Sequence, residues 1–220
     1  MSESLTRRER RERERARRPQ RGAPPDHRRG IPRIWVALGG VAVLALAAFG
    51  LSRAGVFATG PAPIDLNAPK YSSTEIVGTK FPDEGNAHVP SGQKATYQVD
   101  PPTSGMHWSQ AGVAAAPWGI KDVTLPNEVI VHNLEHGGIV IFHKGLTADE
   151  QAKLTDLVRL LRSSGFNKII LEPYATMTDA KIALSAWDWG LKLQAYDDVP
   201  IVTFVKQHYQ GPDAPERSVP

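Results

Sequence analysis

Four of the seven histidines lie between Asp100 and His143, at His107, His132, His136 and His143, and Glu135 sits beside His136. Side chains that bind metal or move protons gather nowhere else in the chain to this degree. His132 and His136 are four residues apart, and on a helix that spacing stacks both imidazoles on one face. The run His132-Asn133-Leu134-Glu135-His136 also has the His-x-x-Glu-His order of inverted zinc peptidases, in which the histidines hold Zn²⁺ and the glutamate activates water. Two features oppose that use: the helix available is short, closing at Gly137, and no downstream helix offers a third carboxylate ligand. The bland alternative is a structural cluster, in which buried imidazoles tie loops to carbonyls or to Glu135.

Further ligands come from loops. His107 follows a turn, Asp100-Pro101-Pro102-Thr103-Ser104-Gly105-Met106, and His88 follows a turn-rich run from Pro82. The chain has no cysteine, so thiolate sites, disulfides and thiol nucleophiles are excluded. Three or four imidazoles without thiolates suit Zn²⁺ or Cu²⁺, and Met106 or Met177 facing the site would tilt the choice to copper. Core packing is the ordinary use of both methionines. His143 reads as the surface end of a strand and His208 as part of a fraying helix end, while Trp187 and Trp189 read as core and surface aromatics. Gly137-Gly138 lacks the Lys-Ser/Thr of a phosphate loop, and Ser104 lacks the flanking residues of a nucleophile elbow. Ser104 and Met106 are therefore supporting residues around His107.

These side chains need elements to hold them. Each proline of the pair 101–102 pushes its predecessor out of helical geometry, and Gly105 permits a tight reversal. A short strand is expected to end near Val99. Pro126-Asn127 opens a helix carrying NEVIVHNLEH, closed by Gly137-Gly138, and Ile139 to His143 forms a buried strand. Thr147 caps a second helix that stops at Gly165, with Leu154, Leu157, Val158, Leu160 and Leu161 on its apolar face. Strands follow at 168–172 and 182–187, with a shorter one at 191–194, and Asp198 caps a last helix reaching about Gln207. This order predicts one α+β domain on a small mixed sheet with about three helices.

The basic character of the chain is local. Residues 1–33 carry twelve arginines against five acidic residues, whereas 34–220 carry 14 Lys and Arg against 18 Asp and Glu, a net of −4. Nucleic-acid binding by the folded domain is thereby disfavoured, and the Arg-rich segment 1–33 reads as a disordered, solvated cytoplasmic tail. Residues 34–52 are uncharged between Arg33 and Arg53, long enough for one membrane helix, with Trp35 as an interfacial anchor. The arginines before this span place the N-terminus in the cytoplasm and the body outside, at the plasma membrane. A cleaved signal peptide is the rival, weakened by the long charged region ahead of the apolar one. Residues 53–80 read as a linker, 81–210 as the extracytoplasmic domain, and 211–220 as a flexible tail.

PPTSG followed by Met106-His107, taken with VHNLEHGGIVI, resembles the bacterial membrane-anchored family filed as domain of unknown function 3105. The likeness runs from about His88 through Tyr97, Pro101, Pro102, Ser104, Gly105 and His107 to His132-Asn133-Leu134-Glu135-His136-Gly137, and faintly to Ala186-Trp187. Met106 departs from the family pattern, which leads one to expect proline there. The family has no established activity, so the resemblance implies a topology and a site, not a reaction.

The expectation is thus a single-pass membrane protein whose extracytoplasmic domain binds a Cu or Zn ion through His88, His107, His132 and His136, with Glu135 in support. The alternatives are a non-enzymatic envelope interaction module with a structural His/Glu cluster and, third, a metal-dependent hydrolase using Glu135. The membrane is the expected partner; the sequence names no protein partner.

Overall fold

The computed structural model describes residues 63–220. The Arg-rich segment, the apolar segment 34–52 and the beginning of the linker lie outside the described residues. Among the described residues no helix is long and apolar enough to cross a membrane.

Eight strands and three α-helices make up the domain. The strands are β1 (Thr79–Lys80), β2 (His88–Val89), β3 (His107–Trp108), β4 (Gly119–Ile120), β5 (Ile139–His143), β6 (Ile169–Pro173), β7 (Ile182–Ala186) and β8 (Trp189–Leu193). The helices are α1 (Asn127–Glu135), α2 (Ala148–Ser163) and α3 (Asp198–His208). A mixed sheet runs in the order β1-β8-β7-β5-β6-β4, and β2 and β3 form a separate parallel pair. The crossover through α2 makes β5 and β6 parallel neighbours, while β5, β7 and β8 alternate in direction. The fold is therefore α+β with a mixed sheet and three helices, as expected, and its sheet is larger than the reading of the later strands implied.

Alternation along β5 divides the core. Ile139 and Ile141 face α2 and α3, joining Leu154, Leu157, Val158, Leu161, Ile201 and Phe204. Val140 and Phe142 point to the opposite layer, where Val129, Ile130, Val131 and Leu134 of α1 pack with Trp187 and Met177. Each such fully buried aliphatic side chain contributes about 1.5–3 kcal/mol relative to exposure. Helix α2 begins with the expected cap: Thr147 accepts from the Glu150 backbone N–H, and the Glu150 carboxylate accepts from the Thr147 N–H. Helix α1 has a β-branched run, Val129-Ile130-Val131, that favours helix weakly, so its stability comes from enclosure: every residue from Glu128 to Glu135 is buried.

Several local expectations are corrected. No strand ends at Val99; the strand in that region is β2, and residues 90–99 form turns and irregular chain. Residues 63–80 are part of the fold and not a linker, with Tyr71 only 1% exposed and Ile64, Leu66 and Val77 packed on the core. Their apolar residues follow no strand or helix period, which hid them in the sequence. Asp197, not Asp198, caps α3, accepting from the Val199 N–H at 3.0 Å. His208 is buried rather than frayed, its Nε2 donating to the Val77 carbonyl at 2.8 Å.

Residues 211–220, expected as a flexible tail, are tied down. Asp213 accepts from Lys80 Nζ and from Trp189 Nε1, both at 2.8 Å. The Glu216 N–H donates to the Glu135 carbonyl at 3.0 Å. The buried Lys168 ammonium donates to the carbonyls of His136 and Arg217 at 3.0 Å, and to that of Val219. The strap formed by 209–220 thus satisfies carbonyls at the C-terminal end of α1, which a helix leaves without internal partners.

Candidate metal centre

Two loops and one helix bring the chemistry together. The chain from Asp83 to Val89 is stitched to the Pro-Pro loop: the Glu84 N–H donates to Ser104 Oγ at 3.0 Å, the Gly105 N–H to the Gly85 carbonyl at 2.8 Å, and the His107 N–H to the Ala87 carbonyl at 3.1 Å. This puts β2 beside β3 with His88 directly opposite His107. The loop is held at its start as well, since the Tyr174 hydroxyl donates to Asp100 Oδ1 at 2.5 Å. Gly105 has φ +121°, and a Cβ there would meet the Tyr97 ring at 3.1 Å, so this turn requires glycine.

Helix α1 supplies the third element. The Asn133 side chain pairs with the backbone of Ala116, accepting from its N–H and donating to its carbonyl, each at 2.9 Å. Glu128 accepts from the Ala95 N–H at 3.0 Å. With the helix fixed by these contacts, Glu135 presents its carboxylate to both loops. Its Oε1 accepts from Asn86 Nδ2 at 3.1 Å, while its Oε2 lies 2.8 Å from His107 Nε2 and 3.5 Å from His88 Nε2.

Donor atoms of His88, His107 and Glu135 all lie within 4.8 Å of one another, close enough to hold one metal ion. His107 and Glu135 are closed off from solvent, whereas 47% of the His88 side chain is exposed, so the cluster opens outward on the His88 side. His107 Nδ1 sits 2.9 Å from the Gly105 carbonyl, which can only accept, so Nδ1 donates there, while Nε2 shares a hydrogen bond with Glu135 Oε2 whose proton a bound metal would displace. Burial pushes the His107 imidazole below its ordinary range, against the opposing pull of the Gly105 carbonyl and the Glu135 carboxylate. Metals bind the neutral ring, and an N–H turned onto a carbonyl is the usual way such a ring is oriented.

His132 and His136 stand beside this group and not in it. His132 Nδ1 lies 2.5 Å from the Trp108 carbonyl, and its Nε2 faces His136 Nε2 at 3.1 Å. The imidazoles of His88, His107, His132 and His136 form a continuous array: the His107 and His132 ring centres are 5.1 Å apart, and His88 stacks on His132 at 5.8 Å. Burial, with His132 next in importance, holds the His136 ring below its ordinary range.

The remaining candidates separate cleanly. Ser104 is fully buried and acts through the Glu84 N–H, so it shapes the loop. Met106 is 42% exposed, with its carbonyl accepting from the Tyr97 hydroxyl at 2.8 Å, and Met177 is core. Asn86 escaped the sequence reading because asparagine in a turn-rich run looks like turn chemistry alone. Cavities of about 260 and 330 Å³ lie along β8 and the 98–101 segment, and neither is lined by His88, His107, His132, His136 or Glu135.

Residues 88–220 match the family described as protein of unknown function (DUF3105). No curated protein matches the chain, and no solved structure does.

Proposed function

The chain belongs to the DUF3105 family, and we propose that it is a membrane-anchored protein whose extracytoplasmic domain binds one divalent zinc or copper ion through His88, His107 and Glu135. The observation that carries this reading is the convergence of two imidazole nitrogens and a carboxylate oxygen within 4.8 Å, with His107 Nδ1 anchored to the Gly105 carbonyl. Two nitrogen donors and one oxygen, without sulfur, suit Zn²⁺ and Cu²⁺. His88 is the exposed ligand at the mouth, which leaves room for water or a partner's donor. Glu135 is a ligand in this reading, with Asn86 holding its second oxygen.

The anchor is residues 34–52, with the Arg-rich segment on the cytoplasmic side; the charge asymmetry across that segment supports this orientation. Binding is favoured over hydrolysis because both Glu135 oxygens are engaged, leaving no free base for water, and the cavities are lined by other residues.

Titration of the full chain in detergent micelles with Zn²⁺ and Cu²⁺, followed by calorimetry, tests the reading. Micromolar or tighter binding from which His107→Ala removes one equivalent supports it, and binding weaker than millimolar for both metals overturns it. One observation favours a second reading, a structural cluster in an envelope interaction module: His107 and Glu135 already form a complete 2.8 Å hydrogen bond. That reading requires His107→Ala to lower thermal stability equally with and without chelator.

A further inference from the structure

We propose a second divalent-cation site, formed by His132 Nε2, His136 Nε2 and Glu216 Oε2, distinct from the His88–His107–Glu135 group and independent of it. Its basis is a meeting of lone pairs. The Nδ1 atoms of His132 and His136 each face a main-chain oxygen, that of Trp108 at 2.5 Å and that of Pro220 at 3.3 Å. A main-chain oxygen only accepts, so both Nδ1 atoms carry a proton, and in the neutral form of each ring the Nε2 atom is left bare. Those atoms face each other at 3.1 Å, and Glu216 Oε2 lies 3.5 Å from the His136 one. Two bare nitrogens facing each other repel unless something positive lies between them, and the Glu216 carboxylate stands beside the His136 one.

The spacing suits an ion. Two nitrogens each bonded at about 2.0–2.1 Å to one centre lie roughly 2.9–3.4 Å apart for angles from square to tetrahedral. The side chains are also built for the purpose. His132 lies in the last turn of α1 and His136 is its C-cap, enclosed to 7% and 8% exposure, and both rings are oriented through their far nitrogens in the manner of metal-bound histidine. Glu216 is carried on the strap, whose own N–H donates to the Glu135 carbonyl at the end of the same helix. Gly137 lets the strap come this close, since a Cβ at its φ of +76° would stand 3.0 Å from Gln210 and Arg217. The Glu216 side chain is 44% exposed, so an ion reaches the site from that side. A first-row divalent ion with nitrogen and carboxylate preference, Zn²⁺ in particular, fits the donors.

The test is Zn²⁺ stoichiometry of the full chain in detergent micelles, measured by elemental analysis after dialysis and by titration. The wild type is expected to hold two ions, His136→Ala and Glu216→Ala one each, and His107→Ala one. Glu216→Ala removes an exposed side chain and leaves the fold intact, so it answers even where His136→Ala unfolds. Two ions retained at unchanged affinity in Glu216→Ala overturn the site. A wild type holding one ion that only His107→Ala removes overturns it also, and leaves the first site standing. Loss confined to His136→Ala and Glu216→Ala, with His107→Ala unaffected, sustains this site and sinks the first. No bound Zn²⁺ in the wild type overturns both.

Discussion

Glu135 Oε2 lies 2.8 Å from His107 Nε2, and neither side chain has access to solvent to replace the other. The contact joins the end of α1 to the Pro-Pro loop, beside the one between His132 Nδ1 and the Trp108 carbonyl, so the candidate site and the packing of the two segments share a bond.

Removing the imidazole leaves a buried carboxylate short of a partner. His107→Ala is expected to lower unfolding stability by about 2–4 kcal/mol in metal-free protein, since an unpaired buried acceptor keeps its desolvation penalty. A double-mutant cycle with Glu135→Gln, followed by urea unfolding, should return a coupling of about 1–3 kcal/mol. A coupling near zero would contradict the contact.

His88 separates binding from stability. Its side chain is 47% exposed, so His88→Ala should change unfolding stability by less than about 0.5 kcal/mol. Losing a direct ligand is expected to weaken Zn²⁺ or Cu²⁺ binding by about 100-fold or more, beyond the range for supporting partners. Equal affinity in calorimetry would remove His88 from the site.

At Gly105 a side chain meets both strain and a wall. Gly105→Ala places a Cβ at φ +121° against the Tyr97 ring and should cost about 1–3 kcal/mol. Because the Gly105 carbonyl orients His107, metal affinity should fall in the same variant, as thermal melts and titrations in parallel would record.

Glu172 predicts a pH dependence unconnected with the site. It is fully buried, accepts only from the Leu125 N–H at 3.3 Å, and burial raises its pKa to about 8. The folded chain therefore keeps a proton that the unfolded chain releases above the ordinary value of 4.5. Between those pH values stability should fall as pH rises, with a slope approaching 1.4 kcal/mol per pH unit at about one proton. Glu172→Gln should flatten that slope in melts taken from pH 5 to 9.

Much of the domain was legible wherever one period ran long enough. Helix α2, with its Thr147 cap and leucine face, and the buried strand from Ile139 were readable because each element repeats one environment. The stretch from 63 to 99 was not, since irregular chain buries Tyr71 and sets Ile64, Leu66 and Val77, each partly buried, against the core one at a time. At the site, residue types identified His88, His107, His132, Glu135 and His136, but spacing along the helix suggested that His132 and His136 act with His107. The structure instead sets Glu135 between the two loop histidines, an arrangement made by β2 meeting β3, which no local pattern encodes. Glu216 was invisible for the same reason, being carried in on a segment that read as a tail.

The pairing of β2 with β3 makes the gap between His88 and His107 a property of the sheet lattice. Parallel neighbours in register stand one strand spacing apart, about 4.8 Å, whatever rotamers the side chains adopt. The site thus has a ruler built from peptide bonds and only two residues long, and its failure mode is digital. A slip by one residue would set Ala87 or Val89 against His107 and turn His88 to the far face. A change in the turn at Gly92, where a side chain would meet nothing within 4 Å, spares the ligand pair so long as that register holds, and it abolishes the pair at one stroke once it does not.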